Sequence, residues 1–283
     1  MMKRTMKKVC GAVAVSAALI LALAACGDSQ EADTPEDAAV IGSVSTNGST
    51  SMEKIIGVLS EQFMADNSGV TVTYDPTGSG TGIESVSTGS CDIGLASRDL
   101  KAEESGLTAT IVALDGIAVV VNGNCPVEDL TMEQITAIFT GKIKDWSELG
   151  GEAGAIACIG REAGSGTRDG FESVTGTEDA CVLSQELTST GAVIEAVKQN
   201  PNAIGYASLS SAEGQEGIKL VTVEGVACAE ATVLDGSYPI QRPFMLVTKN
   251  GVELSPAARA FFDFATSSAA NDLIRAGGAV PVA

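Results

Sequence analysis

Histidine is absent from this sequence, tryptophan occurs once, and aromatic residues make up only 4%. Without His, Ser-His-Asp and Cys-His catalysis are excluded, together with every His-based zinc or iron site. Neither a GxxxxGK[ST] stretch nor a GxSxG stretch occurs, so the Gly-Ser turns match no nucleotide-hydrolysing loop or hydrolase elbow. No CxxC pair suggests a metal or redox site. These absences argue against an enzyme, a cofactor and a resident metal. Positive charge is also scarce: 17 Lys and Arg stand against 36 Asp and Glu, a net charge of −19, which argues against a nucleic-acid partner. With 45% apolar residues and few aromatics, the layers must pack through Val, Ile, Leu and Ala. That pattern suits an α/β protein better than an aromatic-rich β-sandwich.

What is present begins at the N-terminus. Lys3, Arg4, Lys7 and Lys8 precede an apolar run from Val9 to Ala25, and Leu23-Ala24-Ala25-Cys26-Gly27 follows the pattern of small residues before a cysteine. This reads as a secretory signal, residues 1–25, and the run of about 17 residues is short for a membrane-spanning anchor. The cysteine context resembles a bacterial lipobox, which implies cleavage before Cys26, acylation of its thiol, and an extracytoplasmic protein held at the cell membrane by lipid. Residues 26–39, rich in Asp, Glu, Ser and Thr, read as a lipid-anchored flexible tether. Losing the signal's four basic residues from a net of −19 leaves the mature chain near −23. Such a chain binds an anion only where peptide N–H groups, helix starts and a few Arg act at contact distance, because remote charges are screened. Cys91, Cys125, Cys158, Cys181 and Cys228 remain. Spacing alone assigns no pairing among five cysteines.

Three hydroxyl-glycine turns each follow an apolar strand and open a helix. Gly48-Ser49-Thr50-Ser51 precedes Met52, Ile55, Ile56, Leu59 and Phe63, spaced as one helical face. Val70 to Tyr74 alternates as a strand, and Gly78-Ser79-Gly80-Thr81-Gly82 follows. Ala155 to Ile159 leads into Gly160-Arg161-Glu162-Ala163-Gly164-Ser165-Gly166-Thr167. Each turn combines free amides, hydroxyls and, in the last, a guanidinium, which is the chemistry of a tetrahedral oxyanion site. One hydroxyl would suffice as an N-cap, and these runs exceed that need. Cys91 to Ala96 is a further strand that ends in Ser97-Arg98-Asp99, at the carboxyl edge where open α/β sheets bind ligands. Asp115 is read at the start of the strand Gly116 to Val121. Thr131 to Phe139 reads as a helix, and Trp146 as a packing residue.

An ordered string of motifs then carries a resemblance over nearly the whole mature chain. Leu130 to Gly151, the Arg161 to Arg168 turn, Ala203-Ile204-Gly205-Tyr206 and Tyr238-Pro239-Ile240-Gln241-Arg242-Pro243 together resemble the PstS family of periplasmic phosphate-binding proteins. The resemblance implies an α/β, two-lobed periplasmic-binding-protein fold of type II, with phosphate in the cleft between the lobes and delivery to an ABC permease by a monomeric receptor. It places lobe I at residues 40–121 plus 236–283 and lobe II at 122–235. The family's contacts fall on Thr50 and Ser51 with Ser49 adjacent, on Ser79 and Gly80, on Ser97 and Arg98, and on Arg161, Ser165, Gly166 and Thr167.

One departure bears on selectivity. Ala163 and Arg98 stand where members of the family carry Asp, and a carboxylate acceptor is what distinguishes protonated phosphate from sulfate. Asp115, Glu162 and Asp99 are the candidates for that role, with Asp115 preferred. A receptor of the same fold for sulfate or molybdate, and a surface lipoprotein serving as an adhesin or phosphatase-like enzyme, stand as alternatives.

Overall fold

The computed structural model describes residues 40–282. The signal segment, Cys26 and the tether through residue 39 lie outside the described residues, as does residue 283. Among the described residues, no helix is long and apolar enough to cross a membrane.

The chain opens with β1 (Gly42–Gly48), whose Val44, Thr46 and Gly48 are buried in alternation with more exposed neighbours, as a strand with one face on a core requires. A 3-10 turn over Thr50–Met52 runs into α1 (Glu53–Asp66), which buries Ile55, Ile56, Leu59 and Phe63 along one stripe. β2 (Val70–Asp75), α2 (Ser79–Thr88) and β3 (Ile93–Ala96) complete this strand-turn-helix series. β4 (Leu107–Asn122) is a single strand of 16 residues. Asp115 therefore lies inside a strand, and the expectation that it begins one at Gly116 is corrected. The apolar run of residues 116–121 marks only the fully buried half of the strand, whereas the first half is mostly partly buried or exposed.

The next stretch contains β5 (Asp129–Leu130), α3 (Met132–Phe139), β6 (Ala157–Arg161), α4 (Gly166–Thr175), β7 (Gln185–Leu187), α5 (Thr190–Gln199), β8 (Ala203–Ser208) and α6 (Leu209–Ala212). It is followed by β9 (Ile218–Leu220), β10 (Thr222–Val223) and α7 (Glu230–Leu234). Thr131 and Gln134 form a capping box that starts α3, which satisfies two of the donors a helix start leaves open. Trp146 is buried and donates Nε1–H to the Asn202 carbonyl at 3.2 Å. β11 (Gln241–Lys249), α8 (Pro256–Ala265), α9 (Asn271–Ala276) and β12 (Val280–Pro281) finish the chain. α8 and α9 are separated at Thr266 and Ser267 and by a 3-10 turn over Ser268–Ala270. The Thr266 and Ser267 hydroxyls bond back to the Phe262 and Phe264 carbonyls, a local competition that favours helix ends.

One sheet of ten strands runs through these elements in the order β2-β1-β3-β11-β4-β8-β6-β7, with β9 and β12 also paired to β4. The first half of β4 pairs antiparallel with β11 from Leu107↔Lys249 to Gly116↔Gln241. Its second half pairs antiparallel with β8 from Ile117↔Ser208 to Val121↔Ile204. The handover falls at Gly116, where a Cβ would sit 2.5 Å from Cys228 Sγ and 2.9 Å from Val233, so a bare backbone is required.

Two main cores flank that handover. Val44, Ile55, Leu59, Phe63, Leu95, Phe244 and Phe261 share the first, with Phe63 and Phe261 edge to face at 5.3 Å. Ile117 to Val121, Phe139, Trp146, Phe171, Val197 and Tyr206 share the second. There Phe171 stacks on Tyr206 at 4.2 Å and meets Phe139 at 4.8 Å. All five described cysteines are free thiols. Burial pushes Cys158 up to about 12 and Cys181 up to about 11, so neither is a reactive thiolate at neutral pH.

Phe261→Ala should lower the unfolding free energy by about 3–5 kcal/mol, the range for emptying a buried aromatic site. A denaturant titration should show this as a lower midpoint with an unchanged slope.

Candidate functional site

Four helix starts face one another. Thr50 opens the turn into α1, Ser79 opens α2, Gly166 opens α4 and Thr190 opens α5. Amides in the first turn of a helix have no intrahelical acceptor and carry partial positive charge, so their convergence makes a pocket of positive potential without a net charge. The hydroxyls at these starts are buried and bonded to one another. Ser51 Oγ lies 2.8 Å from Thr167 Oγ1 and 3.0 Å from Thr190 Oγ1. Thr50 Oγ1 lies 3.1 Å from Thr190 Oγ1. Ser49 donates to Ser97 Oγ at 2.8 Å, and Ser79 Oγ lies 3.1 Å from Ser97 Oγ. The two sides touch through backbone as well, since the Gly80 amide donates to the Gly164 carbonyl at 2.9 Å. A Cβ on Gly166 would press on the Ser79 hydroxyl and come within 2.5 Å of Ser97 Oγ. Ser165 caps α4, its Oγ accepting from the Thr167 and Arg168 amides.

Two buried guanidiniums enter this cluster. Arg161, the last residue of β6, donates Nη1 to Thr50 Oγ1 at 3.0 Å and to Thr190 Oγ1 at 3.2 Å. Its Nε reaches the Leu187 carbonyl, and Nη2 reaches Glu162 Oε1 at 2.9 Å and the Thr188 carbonyl at 3.0 Å. Arg242, on β11, donates Nη2 to Ser51 Oγ at 2.9 Å and Nη1 to Ser97 Oγ at 3.2 Å. Its Nε and Nη2 also meet Asp115 Oδ2 at 3.0 and 2.9 Å. Toward the cluster, then, both guanidiniums face hydroxyl oxygens, and a hydroxyl can turn to donate when an anion competes for the Arg. The arrangement offers planar forks, rotatable hydroxyls and helix-start amides, which is donor-rich chemistry suited to an oxyanion. Among the described residues, no cluster of His, Cys, Asp and Glu could hold a metal ion.

The carboxylates fall into three situations. Asp115 is fully committed: Oδ1 accepts from Ser208 Oγ at 2.6 Å and Oδ2 takes both Arg242 bonds. Burial pushes its carboxyl above the usual range against the pull of Arg242 and Ser208, and burial pushes Arg242 down. Glu162 holds Arg161 with one oxygen, while its buried Oε2 has no hydrogen-bond partner. Asp99 is exposed.

Of the residues expected at the anion, Ser49, Thr50, Ser51, Ser79, Gly80, Ser97, Arg161, Ser165, Gly166 and Thr167 are brought together, and Asp115 joins them indirectly, through Arg242 and through Ser208 and Ser210. Arg98 is elsewhere. It spends its donors on Glu104 at 2.6 and 2.8 Å and on the Asp99 carbonyl, and lies 2.7 Å from Asp169. Burial disfavours the charge on Glu104, yet the Arg98 guanidinium outweighs it and holds that carboxyl below its usual range.

This constellation has relatives. The PBP superfamily domain model matches residues 33–269. The phosphate-binding protein PstS of Bacillus subtilis is 32% identical over 265 residues, 89% of this chain and 86% of the relative. The chain belongs to the PBP superfamily and, within it, to the PstS family. Among solved structures, a putative phosphate ABC transporter substrate-binding protein from Clostridium perfringens, with bound phosphate, is 39% identical with a TM-score of 0.82. That match covers 86% of this chain and all of the other. An ABC-type phosphate transport receptor from Vibrio cholerae is 30% identical with a TM-score of 0.70, over 84% of this chain and all of the other.

Two residues of the cluster were not read from the sequence. Thr190 closes the run Thr188-Ser189-Thr190-Gly191, the same hydroxyl-glycine signal as the other turns at another strand-to-helix junction. Arg242 was quoted within a family motif without a role; its signal is a lone Arg entering an apolar strand.

Removing Arg242 leaves Asp115 buried without its cation, so Arg242→Met should cost about 3–5 kcal/mol at neutral pH. The native Asp115 pKa then rises further above its unfolded value. The folded state binds the proton more readily, so stability falls as pH rises through the unfolded pKa toward the folded one. Denaturation at pH 5 and pH 8 should therefore show a smaller deficit at pH 5.

Proposed function

We propose that the protein captures inorganic phosphate outside the cytoplasm and delivers it to an ABC permease for import. The single observation that carries this reading is the convergence of Thr50, Ser51, Ser79 and Ser97 with Arg161, Gly166, Thr167 and Thr190 at four helix starts, joined by Arg242. A tetrahedral anion needs donors from several directions, and this cluster supplies them from both sides of the chain. Membership of the PstS family supports phosphate over other oxyanions. The protein is a receptor rather than an enzyme in this reading, supported by its transport relatives and by a site rich in hydrogen-bond donors.

The signal and cysteine motif support a receptor tethered at the membrane surface through acylated Cys26, and in this reading it acts as a monomer. Two lobes would enclose the anion. The separate cores support the division, and β4 runs through both, so the boundary is drawn at Gly116 and Gln241 rather than after Val121 and before residue 236. Arg161 and Arg242 bind the phosphate oxygens, the hydroxyls of Ser51, Thr50, Thr167 and Thr190 adjust to its protonation, and binding shifts an equilibrium toward the closed form that the permease receives.

Glu162 is assigned as the acceptor for the phosphate proton. Asp115 has both oxygens taken and Asp99 is exposed, whereas Glu162 retains a buried oxygen beside Arg161. An acceptor-only carboxylate favours a protonated anion over sulfate.

Calorimetric titration of the purified protein, stripped of anion by unfolding and refolding, should give one-to-one phosphate binding at neutral pH that excess sulfate does not displace. Equal binding of both anions, or none of phosphate, would reject the reading. Arg161→Met should weaken phosphate binding about 100-fold, roughly 2.7 kcal/mol. Glu162→Gln should weaken phosphate roughly tenfold while leaving sulfate unweakened, from the loss of one charge-assisted bond.

A further inference from the structure

Asp169 lies in the first turn of α4, the helix that begins with Gly166 and Thr167. Its carboxylate meets two cations from the segment that leaves β3: Arg98 Nε at 2.7 Å and Lys101 Nζ at 3.3 Å. The Arg98 side chain is 7% exposed and that of Asp169 is 23% exposed, so the pair is only partly screened. The Arg98 approach is close, and Asp169 acts on the guanidinium at ion-pair distance. Glu104 grips the far side of the guanidinium through both oxygens and keeps it aimed.

This contact joins the two sides independently of the anion cluster. α4 packs on the second core through Phe171, and β3 belongs with Ile93 and Leu95 to the first. The same helix start presses Gly166 against Ser79 and Ser97 and brings the Gly164 carbonyl to the Gly80 amide. A cleft of about 480 Å³ lined by Arg98, Lys101, Asp169, Glu172 and Arg242 runs beside the pair, so water reaches the place where it would part.

We propose that Asp169 is the latch of the cleft, a positioning residue that Arg98 and Lys101 hold so that the anion-binding turn of α4 stays closed over its ligand. The proposal rests on the phosphate-receptor reading. Closing contacts add to the stability of the closed form that holds the anion, and apparent affinity rises with the population of that form. Breaking a partly buried charge pair that holds the closed form acts mainly on dissociation. Arg98, adjacent in sequence to Ser97, thus serves the anion from outside its contact shell.

The test compares the parent protein with Asp169→Asn, which keeps the shape and removes the charge. Phosphate should bind roughly tenfold more weakly, almost entirely through faster release in stopped-flow measurements. Small-angle scattering of the anion-free Asn variant should show a larger mean radius, and Asp169→Glu should restore both readouts. A purely structural role for Asp169 would lower the thermal midpoint without changing the release rate. Unchanged release and scattering in a folded Asp169→Asn would overturn the latch. If that variant does not fold, Lys101→Ala, at a half-exposed side chain, should speed release about twofold to threefold, and no change would count against the proposal. If the parent binds no phosphate, the receptor reading fails, and the anion-free scattering comparison alone decides the latch.

Discussion

The pairing of Arg242 with Asp115 organises everything else in the site. The two residues are direct cross-strand partners in the β11–β4 ladder, and both are buried. A charge taken from water is tolerated only with a partner and filled hydrogen bonds. Arg242 meets that demand by spreading its donors over Asp115, Ser97 and Ser51, so the requirement of one buried cation fixes hydroxyls on two other elements. Ser208 closes the arrangement from β8 by donating to the second oxygen of Asp115. The pair sits one residue from the handover at Gly116, where β4 leaves one core for the other.

A chain with net charge −19 gathers positive potential at that point by geometry rather than by composition. Each helix start carries a fraction of a charge, and the effect is confined to its first turn. Four starts directed at one place add these fractions where they count, while charges that face water are screened. Arg161 adds a full charge, and its own acid, Glu162, stands at one side of the fork. Global acidity and local anion affinity therefore coexist without conflict.

Much of this was legible because strand-to-helix turns carry local signals. Gly, Ser and Thr in short runs mark the turns at Thr50, Ser79 and Ser165 directly, and the Thr131–Gln134 capping box marks α3. What escaped depended on tertiary partners. Thr190 had the right pattern but no strong strand before it, since β7 is three residues long and mostly exposed. Arg242 carries no local sign of its role because its partner Asp115 is 127 residues away. Arg98 was placed at the anion through its neighbour Ser97, yet successive side chains leave the backbone in different directions. Ser97 turns to the cluster, and Arg98 turns to Glu104 and Asp169.

The position of β11 in the sheet also governs the order in which the molecule can be built. β11 lies between β3 and β4, and the first core needs Phe244, Leu246 and Phe261 from the last fifth of the chain. The second core draws mainly on the contiguous stretch from Ile117 to Val233. A chain synthesised N-terminus first thus presents β1 to β3 long before β11, the neighbour of β3, arrives. β3 must wait unpaired on the side that β11 later fills, so the half that is synthesised first is the half completed last.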